Sequence, residues 1–223
     1  MNKIRLQELL EKGIISFLKP EGFKFNGNHG NSGSFIKRET NGNYQHFFYS
    51  IVDQGQKFQI GVSSSLRLQK IEEIWFEKCF SPEFMSKKSA KDSPTILYMH
   101  SWPESNLTTQ FDNIYSEIDL EEVLKDIENI FFCHYKPFFN KFSSIESFDN
   151  LVNKNPDENL PFIQYNYGTR ALKGLISAKL CKNTNYENLK IYYEEKIKLW
   201  VRHDTEQVIS IYHGLIKYLD SMF

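Results

Sequence analysis

The chain has 223 residues, 40% of them hydrophobic and 25% charged, with a formal net charge of −1; this is enough apolar chain to bury a core without metal or disulfide staples, and it excludes a disordered or fibrous protein. The charge is uneven: residues 1–60 carry eight Lys or Arg against five Asp or Glu, residues 119–160 four against nine, and residues 161–223 nine against six. No segment reaches the basic density needed to neutralise several phosphates, so tight nucleic-acid binding is disfavoured.

The N-terminal run Met1-Asn2-Lys3-Ile4-Arg5-Leu6-Gln7-Glu8 mixes charge with apolar residues and lacks the apolar core of a signal peptide. Leu6, Leu9, Leu10, Ile14, Phe17 and Leu18 then recur at helical spacing, with Gly13 as a weak point. Pro20 and Gly22 stop this helix, and Phe23 and Phe25 open a strand. The stretch Gly27-Asn28-His29-Gly30-Asn31-Ser32-Gly33 could suggest a phosphate loop, but such a loop opens a helix, whereas Ser34-Phe35-Ile36-Lys37-Arg38 reads as a strand. A hairpin is therefore expected, and Asn41-Gly42 marks the next turn.

From Gln45 to Val52 the two faces are His46/Phe48/Ser50/Val52 and Gln45/Phe47/Tyr49/Ile51, neither plainly polar, as in a central strand. The next strand alternates: Phe58, Ile60, Val62 and Leu66 point inward, and Gln59, Gly61, Ser63, Ser65 and Arg67 outward. A short helix follows over Ile71–Cys79, then a mobile loop over 85–94 and a strand from Thr95 to His100 that ends at Trp102-Pro103. The sheet then holds four or five strands.

Asp119 followed by Glu122 resembles a capping box, opening an amphipathic helix that runs to about Tyr135 and is ended by Pro137-Phe138-Phe139; Ser143 and Glu146 repeat the signal. Residues 153–161 are polar and proline-bounded, the best linker candidate. Beyond them everything reads as helix, with Gly168, Ala171, Gly174 and Ala178 near one face, where a neighbouring helix could approach closely. The expectation is an α+β fold: an N-terminal helix on a four- or five-stranded antiparallel sheet over residues 1–155, then an all-helical extension over 156–223 docked on it. The 19 Phe and 12 Tyr read mainly as core.

The residues Leu18, Pro20, Gly22 and Phe23, the strand end Gln59-Ile60-Gly61-Val62, and Pro137, Phe138, Phe142 and Ser143 together resemble a bacterial family catalogued as domain of unknown function 4304. The resemblance covers roughly residues 1–155 and its motifs are structural. It implies an α+β fold, no established activity and no functional residues to carry over.

Cys79, Cys133 and Cys181 are odd in number and widely spaced, which argues against a disulfide framework. With no signal peptide and no run of about 18 apolar residues, a reduced cytoplasmic protein is expected, without a membrane partner. The histidines form no metal-binding pair and no cysteine pair stands at zinc spacing, so neither metal nor cofactor is expected. Cys133 and His134 are adjacent and point about 100° apart on a helix, which suits a core residue and a core-edge residue better than a nucleophile and its base. The one constellation with chemical content is the polar sheet face: Gln59, Ser63, Ser65 and Arg67, with His46 or Tyr49 beside them and His100 or Trp102 at the end of another strand. As an open surface it would suit a peptide, a small anion or a protein partner; as an ordinary half-polar sheet face it would do nothing. The leading expectation is a non-enzymatic protein-interaction module, immunity-like in kind, whose partner the sequence does not name. The alternatives are an enzyme assembled from scattered residues and a weak single-stranded nucleic-acid binder.

Overall fold

A computed structural model describes residues 1–79, 93–98, 109–158, 160, 167–201 and 205–222. The chain divides into two compact units, 1–66 with 97–141, and 67–96 with 142–223.

The first unit is helix on sheet. Helix α1 (Lys3–Leu18) starts at Asn2, whose side chain accepts from the Arg5 amide, and buries Leu6, Leu10, Ile14, Phe17 and Leu18. The strands are β1 (Lys24–His29), β2 (Ser32–Arg38), β3 (Tyr44–Asp53), β4 (Phe58–Arg67), β5 (Ile96–Leu97) and β6 (Gln110–Ile114). They form one six-stranded sheet in the order β1-β2-β3-β4-β5, with β6 also on β4. This is one or two strands more than the sequence suggests. The strand missed is β6, whose Gln-Phe-Asp-Asn-Ile carries too little β-branched character to announce itself. It pairs with Phe58–Gly61 of β4, while the Tyr98 amide, just after β5, donates to the Ser64 carbonyl. β5 and β6 thus share one edge of β4.

The turns are where glycine and asparagine place them. Gly30, at φ +64°, sits in the two-residue connection between β1 and β2. Gly27, at φ +110°, follows the bulge that interrupts β1 opposite β2. Strand β3 is central, and its Phe47, Tyr49 and Ile51 are buried while Val52 is exposed.

Helix α3 (Glu117–Ile130) crosses the same face as α1; α2 (Gln69–Cys79) lies in the second unit. A Cβ on Gly13 would stand 2.5 Å from Leu124 Cδ1, so the glycine that weakens α1 as an isolated helix lets α3 approach it. The N-cap of α3 is Ser116, reciprocally bonded with Asp119. The helix therefore starts three residues earlier than the Asp119/Glu122 reading: Asp119 is the third helical residue and accepts from the Ser116 amide, rather than being the cap itself.

Pro137 does not end this helix. A π-turn over Phe131–Tyr135 leads directly into α4 (Lys136–Phe142); its wider five-residue step absorbs the proline, which has no amide to give. Tyr135 at the end of this step is fully buried and donates to the Val62 carbonyl at 3.2 Å, and His134 beside it is half-buried. Cys133, read as core, is instead exposed. Rings of Phe17, Phe23, Phe47, Phe131 and Tyr135 meet at centroid distances of 5.7–6.5 Å, so most of the aromatic excess of this unit is core, as expected.

The second unit contains α2, α5 (Ile145–Asn153), α6 (Tyr167–Leu180), α7 (Tyr186–Trp200) and α8 (Thr205–Asp220). Helix α5 is capped by Ser144 with Ser147, one residue beyond the Ser143/Glu146 reading. Helix α2 packs on α6 and α8 and lies with the C-terminal helices in the second unit. Among the described residues no helix is long and apolar enough to cross a membrane.

Candidate functional site

The polar sheet face forms in part. A Cβ on Gly61 would lie 3.0 Å from Ser50 Oγ, which puts Ser50 and its β3 face-mates His46 and Phe48 beside Gln59, Gly61 and Ser63 of β4. His46, Gln59 and Ser63 are half-buried there. Ser65 and Arg67 continue the same face by alternation, yet they are only 1% and 3% exposed. His100 and Trp102 lie outside the described residues.

Tyr49 belongs to the opposite face. Its hydroxyl donates to Glu11 Oε1 at 2.5 Å and accepts from Gln7 Nε2 at 3.5 Å, both on α1. Burial, reinforced by the Glu11 carboxylate, pushes its ionisation well above the ordinary phenol range. Gly33, opposite Tyr49 in the β2–β3 register, leaves room for that ring; a Cβ there would stand 2.6 Å from Asn28 Oδ1 and collide with the tyrosine hydroxyl. Tyr49 is therefore a helix-to-sheet tie.

Arg67 is used inside the second unit. Its Nε donates to Gln69 Oε1 at 2.9 Å and its Nη1 to the Ser93 carbonyl at 2.5 Å, while Nη1 stands 3.9 Å from Glu72 Oε2. Glu72 Oε1 is 2.6 Å from Lys173 Nζ and accepts from Thr95 Oγ1 at 2.7 Å. Lys173, 0% exposed, also donates to the Pro94 carbonyl and lies 4.1 Å from the centre of the Trp75 ring. Its pKa is held below the usual lysine value by burial; Glu72 opposes that shift and Arg67 adds to it. One carboxylate thus stands between two buried cations. Every member has partners within the fold, which marks the cluster as internal bracing.

A second buried network ties α5 to α6 and α7. Asp149 accepts from Asn153 Nδ2 at 2.6 Å, Ser177 Oγ at 3.1 Å and Asn183 Nδ2 at 2.7 Å, and Asn153 Oδ1 accepts from Tyr193 at 2.6 Å. The small-residue reading of α6 is explained here: a Cβ on Gly174 would stand 2.9 Å from Tyr193 Oη. Neither free thiol near these networks is primed for chemistry. Burial pushes Cys79 and Cys181 up to about 12. Among the described residues no group of three His, Cys, Asp or Glu could hold a metal ion.

The feature that sequence reading missed is a hollow on the first unit, about 260 Å³ in volume, walled by Ile15, Phe23, Phe25 and Phe35 with Lys19 and Lys24 at its rim. The Phe25 and Phe35 rings meet at 5.3 Å with their planes tilted by 58°, and Phe25 remains 43% exposed. Its signal in the sequence is faint: Lys12, Ile15 and Lys19 share the outward face of α1, so one branched apolar residue sits among lysines. The chain matches no protein-family model, no curated protein and no solved structure.

Proposed function

We propose that this protein is a non-enzymatic protein-interaction module acting in the cytoplasm, with immunity-like capture of a partner as its mode of action. The observation that carries this reading is the exposed apolar surface of the first unit. Ile4 and Ile118 are 73% and 71% exposed and flank the Arg5–Glu117 ion pair, and Phe25 and Ile15 stand open at the hollow. Apolar side chains gathered into one exposed patch mark contact sites, whereas single ones do not, so the grouping of Phe25 and Ile15 around one hollow is what counts. The polar groups that would carry chemistry, Arg67 and Lys173, are by contrast buried and engaged within the fold. The resemblance to the domain of unknown function 4304 family is kept as part of this proposal, and it points to no activity.

The test is affinity capture of the tagged chain from a lysate of its native host, beside the I4E/I118E and F25E variants. Wild type should retain one partner in stoichiometric amount, and at least one variant should lose it at unchanged Tm. Absence of any stoichiometric partner under several growth conditions contradicts the proposal, as does equal retention by wild type and both variants.

A further inference from the structure

We propose that the hollow between α1 and the β1–β2 hairpin receives an acidic segment of a partner protein, anchored by one bulky apolar side chain. This rests on the interaction-module reading and gives its partner a chemistry.

Size comes first. At about 260 Å³ the hollow falls below the roughly 300–1,000 Å³ of sites that enclose drug-sized ligands. It suits a single anchoring side chain of the kind that dominates protein interfaces. Three of its walls are rings, Phe23, Phe25 and Phe35, and the fourth is Ile15; the occupant that gains most there is an aromatic or large branched side chain.

Charge decides what surrounds that anchor. Lys19 and Lys24 line the hollow, Lys12 shares the outward face of α1 with Ile15 and Lys19, and the stem of Lys37 lies 3.7 Å from where a Gly22 Cβ would be. None of these four lysines forms an ion pair among the described residues, and the nearby Glu21 is held by Lys136 at 2.9 Å. Two unneutralised ammonium groups at an apolar recess, with two more lysines on the adjoining elements, complement carboxylates flanking an apolar side chain. Such a rim steers encounter and rejects basic sequences, while the recess governs how long the partner stays. A lipid surface would use the same lysines, but it binds apolar groups that protrude, and here the rings of Phe23 and Phe35 are recessed and buried.

The experiment is fluorescence anisotropy of the full chain with three labelled peptides: Glu/Asp-rich with one central Trp, the same with Ala for Trp, and a Lys-rich peptide with the Trp. A sedimentation assay with phosphatidylserine vesicles runs beside it. Saturable binding is expected for the acidic Trp peptide alone, weakened by salt and reduced about tenfold or more by K19E/K24E and by F25A. Equal binding of the Ala peptide overturns the anchor, and unchanged binding by K19E/K24E overturns the charge complementarity. Vesicle binding that depends on Lys19 and Lys24 without peptide binding assigns the surface to lipid and overturns the proposal. The two readings fail separately: a partner captured from lysate equally well by wild type, F25A and K19E/K24E overturns only this inference, whereas no captured partner at all overturns the module reading as well.

Discussion

Replacing Glu72 by Gln should destabilise the protein more than replacing Lys173 by Met, although both break the same 2.6 Å ion pair. Glu72 is the anion facing both Lys173 at 2.6 Å and Arg67 at 3.9 Å, and the three side chains are 0–4% exposed. With an effective dielectric of about 20, the gross attractions are about 6 and about 4 kcal/mol, largely offset by the cost of desolvating the charges. Glu72→Gln leaves two buried cations facing each other, and the expected loss is about 3–5 kcal/mol. Lys173→Met leaves Glu72 with Arg67 and the Thr95 hydroxyl, and the thioether can still pack on Trp75, so a loss of about 1–3 kcal/mol is expected. Urea unfolding followed by far-ultraviolet circular dichroism measures both. Lys173 supplies a second check through pH. Its folded pKa lies below the ordinary 10.5, so the unfolded chain binds the extra proton, and this group's contribution grows as pH rises towards 10.5 and is lost as pH falls through the folded value. The penalty of Glu72→Gln relative to wild type should therefore shrink as pH rises towards 10.5 and Lys173 discharges. A larger loss for Lys173→Met, or losses under about 1 kcal/mol for both variants, would refute the reasoning.

Two further outcomes follow from single residues. In the native protein an aromatic disulfide reagent at mildly alkaline pH should label the exposed Cys133 rapidly and Cys79 only after unfolding, because burial holds the Cys79 thiol up to about 12; mass spectrometry showing Cys79 labelled as fast as Cys133 contradicts its burial. Asp119 is held below its ordinary 3.8 by the Tyr115 amide, the Ser116 hydroxyl and the Ser116 amide, so its contribution is complete above about pH 4 and is lost as pH falls through the folded value. Asp119→Asn should flatten the acid limb of the stability curve relative to wild type, and identical acid limbs would remove the capping role.

What was legible in the sequence was whatever one element reports by itself. The α1 stripe, the Gly/Asn hairpins and the alternation of β4 as far as Ser63 each depend on local sequence, and all are present. What was not legible depends on partners distant in sequence. Alternation set Arg67 outward on β4, but its burial comes from contacts with Gln69, Ser93 and Glu72 that no strand pattern records. Tyr49 could be placed on either side of the argument until α1 supplied Glu11. Helical spacing sets Glu72 with Phe76 and Cys79 and Glu73 with Lys70 and Glu77, but the groups that hold the buried Glu72 carboxylate, Lys173 and Thr95, are distant in sequence. The hollow escaped for the same reason, since its walls come from residue 15 on α1, 23 in the turn that follows, 25 on β1 and 35 on β2.

The central claim is that the first unit captures a protein partner through the lysine-rimmed hollow. Its most direct measurement is quantitative affinity capture from the native host by wild type and by the F25E/K19E/K24E variant, each at matched Tm. The account predicts one stoichiometric partner, acidic at its contact segment, retained by wild type and lost by the variant. Equal recovery of that partner by both proteins would contradict it.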